Sequence, residues 1–514
     1  MSAAAHQSDD LAALARGGRT NFLGFLIRLA ARLPFLFIAG RVYGADALGR
    51  FAFAVLIVEF AAQLATLGLK RGLAQQLSST DKPHVCVVWD GMLVAFVASA
   101  IASIVLGLFP QAMFPNSAIH GVEWLLPLIV FAIAGSDVAL AALAYRHDVQ
   151  ATVNARAIVE PWTLSIAALV MAQVSSRDGL IFAYVLSMLA AFAASLWPLF
   201  KTYGRPHGWR PDPVTLWTLA RRNTPLAAAD AIEWGSRRID IAILGLFFAP
   251  AVVGVYYVAQ QVASLPQKLK TSFDPILGPV ITHKLAQGDR KAVARQVRQV
   301  GFWIIAAQTG VALALGITGE AVMGLVGPHF VGGTGALAFL LAAEVIAATA
   351  AVSEAALIYV ARHRNLMIST LMIAIEVALA IALILAMRAL ADVFPAAGNP
   401  NYQAACPAIA LCLALGFASV FKARLLSHLL GAPVSGWRWA LIWAAAAATL
   451  VGWLATMLPE WTELLFGIPL VLVSFGLVIW LRGFTHEDRL LFRRRPSFEE
   501  VSLPPPGTSP TAPS

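Results

Sequence analysis

Five charged side chains lie within one apolar segment, residues 223–260. They are Asp230, Glu233, Arg237, Arg238 and Asp240. A charge at the centre of a membrane helix costs about 2.5–3.5 kcal/mol, so these groups must face protein or water rather than lipid. Guanidinium groups bind anionic oxygens bidentately, and a carboxylate can take up and release H⁺ or Na⁺. The segment therefore predicts an internal polar site.

On a continuous helix, all five side chains except Arg238 fall within an arc of roughly 80°. Arg238 points about 80–160° away from this stripe. The stripe predicts a helix that lines an internal cavity. The alternative is internal ion pairing, of Arg237 with Glu233 one turn away or of Arg238 with a neighbouring part of the molecule.

Other charges lie in apolar surroundings elsewhere in the chain. Arg28 and Arg32 are one helical turn apart, about 12 and 18 Å into the first apolar segment. Glu59 is the single charge in VLIVEFAAQL, where it is either functional or an inter-helix hydrogen-bond partner. The remaining acidic candidates are Asp137, Glu160, Glu344, Glu354 and Glu376.

The composition indicates a polytopic membrane protein. Of 514 residues, 59% are hydrophobic and 13% charged, with a mean hydropathy of +0.74, whereas soluble domains have about 25% charged residues. The net charge of +9 is explained by basic cytoplasmic loops. Because no basic run is interleaved with base-stacking aromatics, a nucleic-acid partner is not expected.

Fourteen apolar stretches are long enough to cross a bilayer. They are residues 20–42, 46–69, 87–109, 122–145, 155–174, 178–200, 223–248, 251–281, 299–318, 333–360, 365–388, 403–426, 437–457 and 463–482, numbered here as spans 1 to 14. Basic residues concentrate after even-numbered spans, at Lys70, Arg71, Lys82, Arg146, Lys201, Arg205, Arg210, Arg221, Arg222, Lys284, Arg290, Lys291, Arg295, Arg298, Arg362, Arg364, Lys422 and Arg424. The positive-inside rule therefore places both termini in the cytoplasm.

An internal repeat relates spans 1–2 to spans 7–8. GRVYGADALGRFAFA, residues 40–54, aligns without gaps with GLFFAPAVVGVYYVA, residues 245–259. At the same offset Arg32 matches Arg237. Because six crossings separate the copies, the repeat is parallel. We therefore expect an all-α protein with two six-helix lobes around a central cavity.

The expected domain organisation follows from these spans. It comprises a cytoplasmic N-terminus (1–19), an N-lobe of spans 1–6 (20–200), a cytoplasmic linker (201–222), a C-lobe of spans 7–12 (223–428), two extra spans (429–482) and a disordered cytoplasmic tail (483–514).

No catalytic group is evident in the sequence. There is no G-x4-G-K-[ST] phosphate loop and no metal-ligand spacing. Cys406 and Cys412 would lie about 9 Å apart on a helix, too far for an undistorted disulfide. The loops after odd-numbered spans are short. We therefore expect neither an enzyme nor a cofactor.

Several patches resemble bacterial oligosaccharide-lipid flippases of the multidrug/oligosaccharidyl-lipid/polysaccharide exporter superfamily, a Wzx-like group. These are YG-x4-G-x-F entering span 2, LGLKRGLAQQL at its end, G-x-YY-x-A-QQ entering span 8, and PILGPVITHKLAQGD beyond it. The resemblance covers about residues 20–430 in layout and in these patches.

The resemblance implies export of an undecaprenyl-pyrophosphate-linked oligosaccharide, an O-antigen or exopolysaccharide unit, across the bacterial inner membrane by alternating access. Arginines at mid-depth suit a pyrophosphate: Arg28, Arg32, Arg237 and Arg238. The carboxylates are candidates for coupling to H⁺ or Na⁺, or for counter-ions of the arginines: Asp230, Glu233, Asp240 and Glu59. Membrane lipids and a polysaccharide polymerase or copolymerase are the implied partners.

Two other functions stay open at this stage. A drug or metabolite antiporter of the same superfamily would have few cationic residues in its cavity, so the arginines favour an anionic cargo. A polysaccharide polymerase or ligase would carry its chemistry on a sizeable external loop with acidic residues, for which the sequence leaves little room.

Overall fold

The computed structural model describes residues 33–235, 237–271 and 289–485, and only the backbone of residues 268–271. Within these ranges every regular element is helical. Arg28, Arg32 and the C-terminal tail lie outside the described residues. The side chains of Lys268, Lys270 and Asp274, which belong to the predicted span 8, are not described either.

The first half of the molecule, residues 33–203, contains the described parts of spans 1–6. Span 1 ends in the π-helix Ala39–Tyr43, and span 2 consists of helices Gly44–Ala65 and Leu69–Ser78. The helices of spans 3, 4 and 6 are His84–Leu108, Val122–Tyr145 and Gly179–Tyr203. Span 5 is built from consecutive helical pieces, Val149–Val153, Asn154–Val159 and Glu160–Met171.

The second half, residues 213–430, contains spans 7–12. Span 7 consists of Pro213–Gly235 and Ile239–Phe247, and span 8 of Pro250–Thr271. Span 9 is Arg290–Ile317, followed by the short helix Gly319–Val326. Spans 10, 11 and 12 are Pro328–Val360, Arg362–Leu390 and Pro400–Leu430.

Spans 13 and 14 follow as Ala440–Ala455 and Glu460–Gly483. Both pack against span 9. The ring of Phe302 in span 9 lies 3.9 Å from the Arg438 guanidinium carbon. Spans 9, 10, 12, 13 and 14 thus share one hydrophobic core, while a larger core runs through both halves of the molecule.

Nine helices in the described part of the chain are long and apolar enough to cross a membrane. The nine count spans 1 and 2 as one helix, Leu33–Ser78, and leave out spans 5, 7, 8 and 13. Span 13 has 16 residues, and the helix of span 7 is interrupted. A multi-pass, all-helical membrane protein is confirmed, and the number of fourteen spans stays a prediction. Span 7 begins at Pro213 rather than at 223 because the Asp212 side chain caps it, accepting hydrogen bonds from Thr215. These bonds lower the pKa of Asp212.

Spans 2 and 8 cross at a pair of glycines. A Cβ atom on Gly49 would overlap the carbonyl oxygen of Pro250, and one on Gly254 would overlap the carbonyl oxygen of Ala45. At the offset of the sequence repeat, Ala45 is equivalent to Pro250 and Gly49 to Gly254. Equivalent residues therefore meet at this crossing, and the absence of Cβ atoms lets the two backbones touch. This contact supports the repeat.

Candidate functional site

Span 7 breaks where its charges are densest. Helix Pro213–Gly235 ends there, and Arg238 has φ −142° and ψ 2° before the helix resumes at Ile239. The prediction of one continuous helix with a single charged stripe is therefore wrong. Gly235 sits at the break, and glycine is among the weakest helix formers. Because of the break, Asp240 belongs to a different environment from Asp230 and Glu233.

Arg238 crosses the seam between the two halves of the molecule. Its guanidinium pairs with the carboxylate of Glu59 in span 2. The second Glu59 oxygen accepts a hydrogen bond of 3.1 Å from the Tyr184 hydroxyl in span 6. The guanidinium carbon also lies 4.6 Å from the ring centre of Trp234, a favourable cation–π geometry. Pairing of Arg238 across the seam is one of the alternatives that the sequence left open, as is a hydrogen-bond partner for Glu59.

A second set of ion pairs crosses the seam nearer the end of the molecule that carries the basic loops, called here the basic end. Arg71, in span 2, lies 2.7 Å from Glu233 Oε2 and 3.1 Å from Asp230 Oδ1. Glu233 therefore pairs with Arg71, and the predicted alternative of a Glu233–Arg237 pair is not what the structure shows. Arg71 was not among the predicted site residues. Its segment, LGLKRGLAQQL, was used only as a sign of family resemblance.

Arg237 differs from these two arginines because its side chain is exposed. Its backbone N–H bonds to the carbonyl of Trp234 at 3.4 Å. No ion pair of Arg237 is found among the described residues. Of the four predicted arginines, the structure places Arg237 and Arg238 next to each other in the break of span 7, and it does not describe Arg28 or Arg32.

Asp240 is buried in the second half, with 1% of its surface exposed. Its carboxylate accepts a hydrogen bond of 2.7 Å from the Tyr256 hydroxyl, and the Gln260 amide donates at 3.0 Å to each oxygen. Tyr256 and Gln260 therefore position Asp240. The short helix that carries Asp240 also packs against span 11.

Glu376, in span 11, is a second buried carboxylate beside Asp240. It is 1% exposed, and its charge interacts with that of Asp240. Among the described residues its Oε2 atom has no hydrogen-bond partner. No described Lys or Arg forms an ion pair with either carboxylate. Two buried carboxylates without a cation are suited to share a proton or a bound cation.

The first half also contains a pair of neighbouring carboxylates, and this pair holds a cation. Arg156 lies between Asp137 and Glu160, paired with Asp137 and at 2.9 Å from Glu160. Lys70 approaches Asp137 at 3.8 Å. Arg156 therefore neutralises charge on this pair, whereas the Asp240–Glu376 pair forms no ion pair among the described residues.

At the end opposite the basic loops, the seam is closed by hydrogen bonds from side chains to backbone carbonyls. Asn116 donates from its amide to the carbonyls of Gly245 and Phe248, at 2.8 and 3.0 Å, where span 7 ends. Arg41 donates to the carbonyl of Leu325 at 3.1 Å. With the Gly49–Gly254 crossing, these contacts join the two halves along this end.

The described residues therefore form two polar sites with different chemistry. The arginines at the seam are suited to bind an anion, and the Asp240–Glu376 pair within the second half is suited to bind a small cation. In the described part of the chain no cluster of three His, Cys, Asp or Glu side chains has metal-binding geometry.

The fold is similar to that of several solved membrane transporters. Over 92% of this chain and 100% of the other, the structure is similar to the lipid II flippase MurJ in an inward closed conformation, with a TM-score of 0.67 and 10% identity. It is similar to a MOP superfamily transporter from Pyrococcus furiosus, over 81% and 96% of the chains, with a TM-score of 0.55 and 13% identity. An outward-facing multidrug resistance MATE transporter gives 0.53 and 13% over the same shares.

The family follows from the sequence match. Residues 38–322, more than half of the 514-residue chain, match the polysaccharide biosynthesis protein family, and the chain belongs to it. No curated protein matches the sequence. The prediction of a Wzx-like member of this superfamily is confirmed.

Proposed function

We propose that this protein is a flippase that moves an undecaprenyl-pyrophosphate-linked oligosaccharide across the bacterial inner membrane by ion-coupled alternating access. The observation that carries the proposal is the pair Arg237–Arg238, which lies at the seam of a chain from a polysaccharide biosynthesis family. The fold of a lipid-linked cargo flippase supports it.

In this proposal the pyrophosphate binds to guanidinium groups on both sides of the seam. Arg237 and Arg238 lie on the second half, and Arg71 joins the site from the first half. Arg28 and Arg32 complete the site from span 1. Arginine suits this role because its planar group binds two phosphate oxygens at once. The polyprenyl tail stays in the bilayer while the headgroup crosses.

Alternating access would use the two halves as lobes. The seam is joined at the opposite end by the Gly49–Gly254 crossing. That end faces the periplasm in our proposal, and the basic end with both termini faces the cytoplasm. Opening towards the periplasm then requires spans 2 and 8 to separate at the glycines.

The coupling ion, H⁺ or Na⁺, binds at Asp240 together with Glu376. Both groups are buried in the second half without a cationic partner among the described residues. In the first half, by contrast, the carboxylates of Asp137 and Glu160 pair with Arg156. Coupling is therefore assigned to the second half, and the exported unit passes on to a polysaccharide polymerase or copolymerase.

The cargo site is tested by Arg237→Gln in the native bacterium. We expect surface polysaccharide to be lost while the variant stays in the membrane at the wild-type level. Arg364→Gln, at an exposed arginine near the start of span 11, is the matched control and should leave the polysaccharide unchanged. Normal surface polysaccharide in the Arg237→Gln strain would contradict the proposal.

A drug or metabolite antiporter of the same superfamily is the alternative, because the fold is also that of MATE transporters. Deletion of the gene separates the two functions. A flippase predicts loss of surface glycan with unchanged drug sensitivity, and an antiporter predicts the reverse.

A further inference from the structure

The ion pairs at the seam join residues of different halves of the molecule, unlike the other ion pairs of the described residues. Arg71 of the first half binds Asp230 and Glu233 of the second, and Arg238 of the second half binds Glu59 of the first. By contrast, buried pairs away from the seam stay within one half. Examples are Arg50–Glu123, Arg156–Glu160 and Lys422–Glu354.

Each member of the Glu59–Arg238 pair has a second partner in its own half. Tyr184 donates a hydrogen bond to Glu59 within the first half. The Trp234 ring lies under the Arg238 guanidinium within the second half. When the halves separate, both side chains therefore keep one contact and their position. The side chains of Glu59 and Arg238 are 28% and 38% exposed, so another anion can reach the guanidinium.

A flippase must rearrange twice in every cycle, once with cargo and once without. With cargo, the pyrophosphate oxygens neutralise the arginines as the seam closes. Without cargo, the same arginines would enter the closed membrane interior unpaired, which is costly. Something must therefore replace the anion on the empty return.

We infer that Glu59, Asp230 and Glu233 replace the pyrophosphate on the arginines during the empty half of the cycle. This inference rests on the proposed function and adds to it. Cargo and carboxylates compete for the same guanidinium groups, so the lobes close in two charge-balanced ways. The described structure, with its carboxylates on Arg71 and Arg238, corresponds to the empty closed form. These acids are positioning residues and do not contact the cargo.

The assignment predicts that net transport and exchange respond differently to Glu59→Gln. Net transport needs the empty return, whereas exchange of cargo for cargo does not. In proteoliposomes, a fluorescent polyprenyl pyrophosphate is placed in one leaflet, and an unlabelled copy is either absent from or present in the other. For Glu59→Gln we expect roughly a tenfold loss of net flipping with exchange kept within about twofold.

Two further variants serve as controls for this experiment. Arg238→Gln should lose net flipping and exchange together, because it removes the cargo contact itself. Glu354→Gln removes the carboxylate that holds Lys422 within the second half, and should leave the ratio of the two rates at the wild-type value. Equal losses of net flipping and exchange in Glu59→Gln would overturn the inference.

A second measurement needs no cargo and therefore separates this inference from the proposed function. Spin labels at Ser79 and Thr218, exposed positions on the first and second half, report the width of the seam at the basic end. The labels are placed in protein with its three cysteines replaced. We expect Glu59→Gln to shift the empty protein towards longer distances. An unchanged distance distribution would overturn the inference, whereas a wild-type protein that moves no pyrophosphate probe would overturn the proposed function.

Discussion

Glu376 is the residue on which the proposed ion-coupling site depends most. It is buried next to Asp240 with one oxygen unbonded among the described residues. Asp240 itself receives hydrogen bonds from Tyr256 and Gln260. The Asp240 carboxylate is therefore better stabilised by hydrogen bonds than the Glu376 carboxylate. A proton or cation that neutralises the pair acts mostly on Glu376. Loss of that ion changes the charge at the junction of spans 7 and 11.

Glu376→Gln should uncouple transport from the ion gradient. The amide has nearly the shape of the protonated acid but cannot release a proton, so one step of the cycle becomes independent of the ion. Flipping in proteoliposomes is measured with and without an imposed H⁺ or Na⁺ gradient. Glu460→Gln, at an exposed acid in span 14, is the control. A variant stimulated by the gradient as strongly as wild type would contradict the assignment.

Arg156→Gln should destabilise the protein by about 3 kcal/mol, because removing one partner leaves the others as uncompensated charges in a largely buried place. Its side chain is 17% exposed and lies between Asp137 and Glu160. Thermal unfolding of the purified protein in detergent measures the effect. The double variant Arg156→Gln/Asp137→Asn should recover part of the loss. An unfolding midpoint unchanged by Arg156→Gln would show that the network contributes nothing.

At the scale of helices, the interruption of span 7 has the largest effect on the site. It turns Arg238 towards Glu59 and separates Asp240 from Asp230. A continuous helix would have placed Asp230 and Asp240 on one stripe, with Arg238 pointing away from it. Because glycine and the adjoining residues form a turn here, span 7 instead contributes to two sites, one for an anion and one for a cation.

The sequence was sufficient to predict an all-helical, multi-pass membrane protein. Hydropathy over about twenty residues identifies membrane-spanning helices and depends little on tertiary context. It also identified Arg238 and Asp240 as candidates. It missed Arg71 because a basic residue at the end of a span is ordinarily an orientation signal. It missed the break because many membrane helices tolerate glycine, so Gly235 alone does not predict an interruption.

Gly49→Ala should disfavour the conformation described here. A methyl group at this position would overlap the backbone of span 8 at Pro250, so spans 2 and 8 must move apart. Labels on the two halves at the end opposite the basic loops should report a wider seam. Gly476→Ala is the matched control, since a Cβ atom there meets nothing within 4 Å. A seam of wild-type width in Gly49→Ala would contradict the role of the glycine crossing.

At the scale of the whole molecule, spans 13 and 14 extend the second half without contributing a residue to the seam contacts described above. They cover span 9, where Phe475 lies 3.0 Å from the Cβ position of Gly310. A Cβ atom on Gly436 would lie 2.6 Å from the backbone nitrogen of Phe302. These close contacts indicate a permanent attachment, so the two spans should move with span 9 as one body.

A chain that ends after Gly431 should therefore keep the seam but lose stability. The truncation removes the residues of spans 13 and 14 from the core that they share with spans 9, 10 and 12. We expect a lower thermal unfolding midpoint in detergent, with spin-label distances across the seam like those of the full chain. Wild-type thermal stability would show that lipid or detergent replaces this packing without cost.

Gly49 meets Pro250, and Gly254 meets Ala45. These reciprocal contacts between equivalent residues have the geometry of an isologous interface, in which one patch binds its own copy around a two-fold axis. The Gly49–Gly254 crossing can therefore be understood as the dimer contact of a duplicated unit. The two copies of this unit are joined covalently by the segment between span 6 and span 7. A substitution in one copy of this patch therefore has to fit the surface of the other copy.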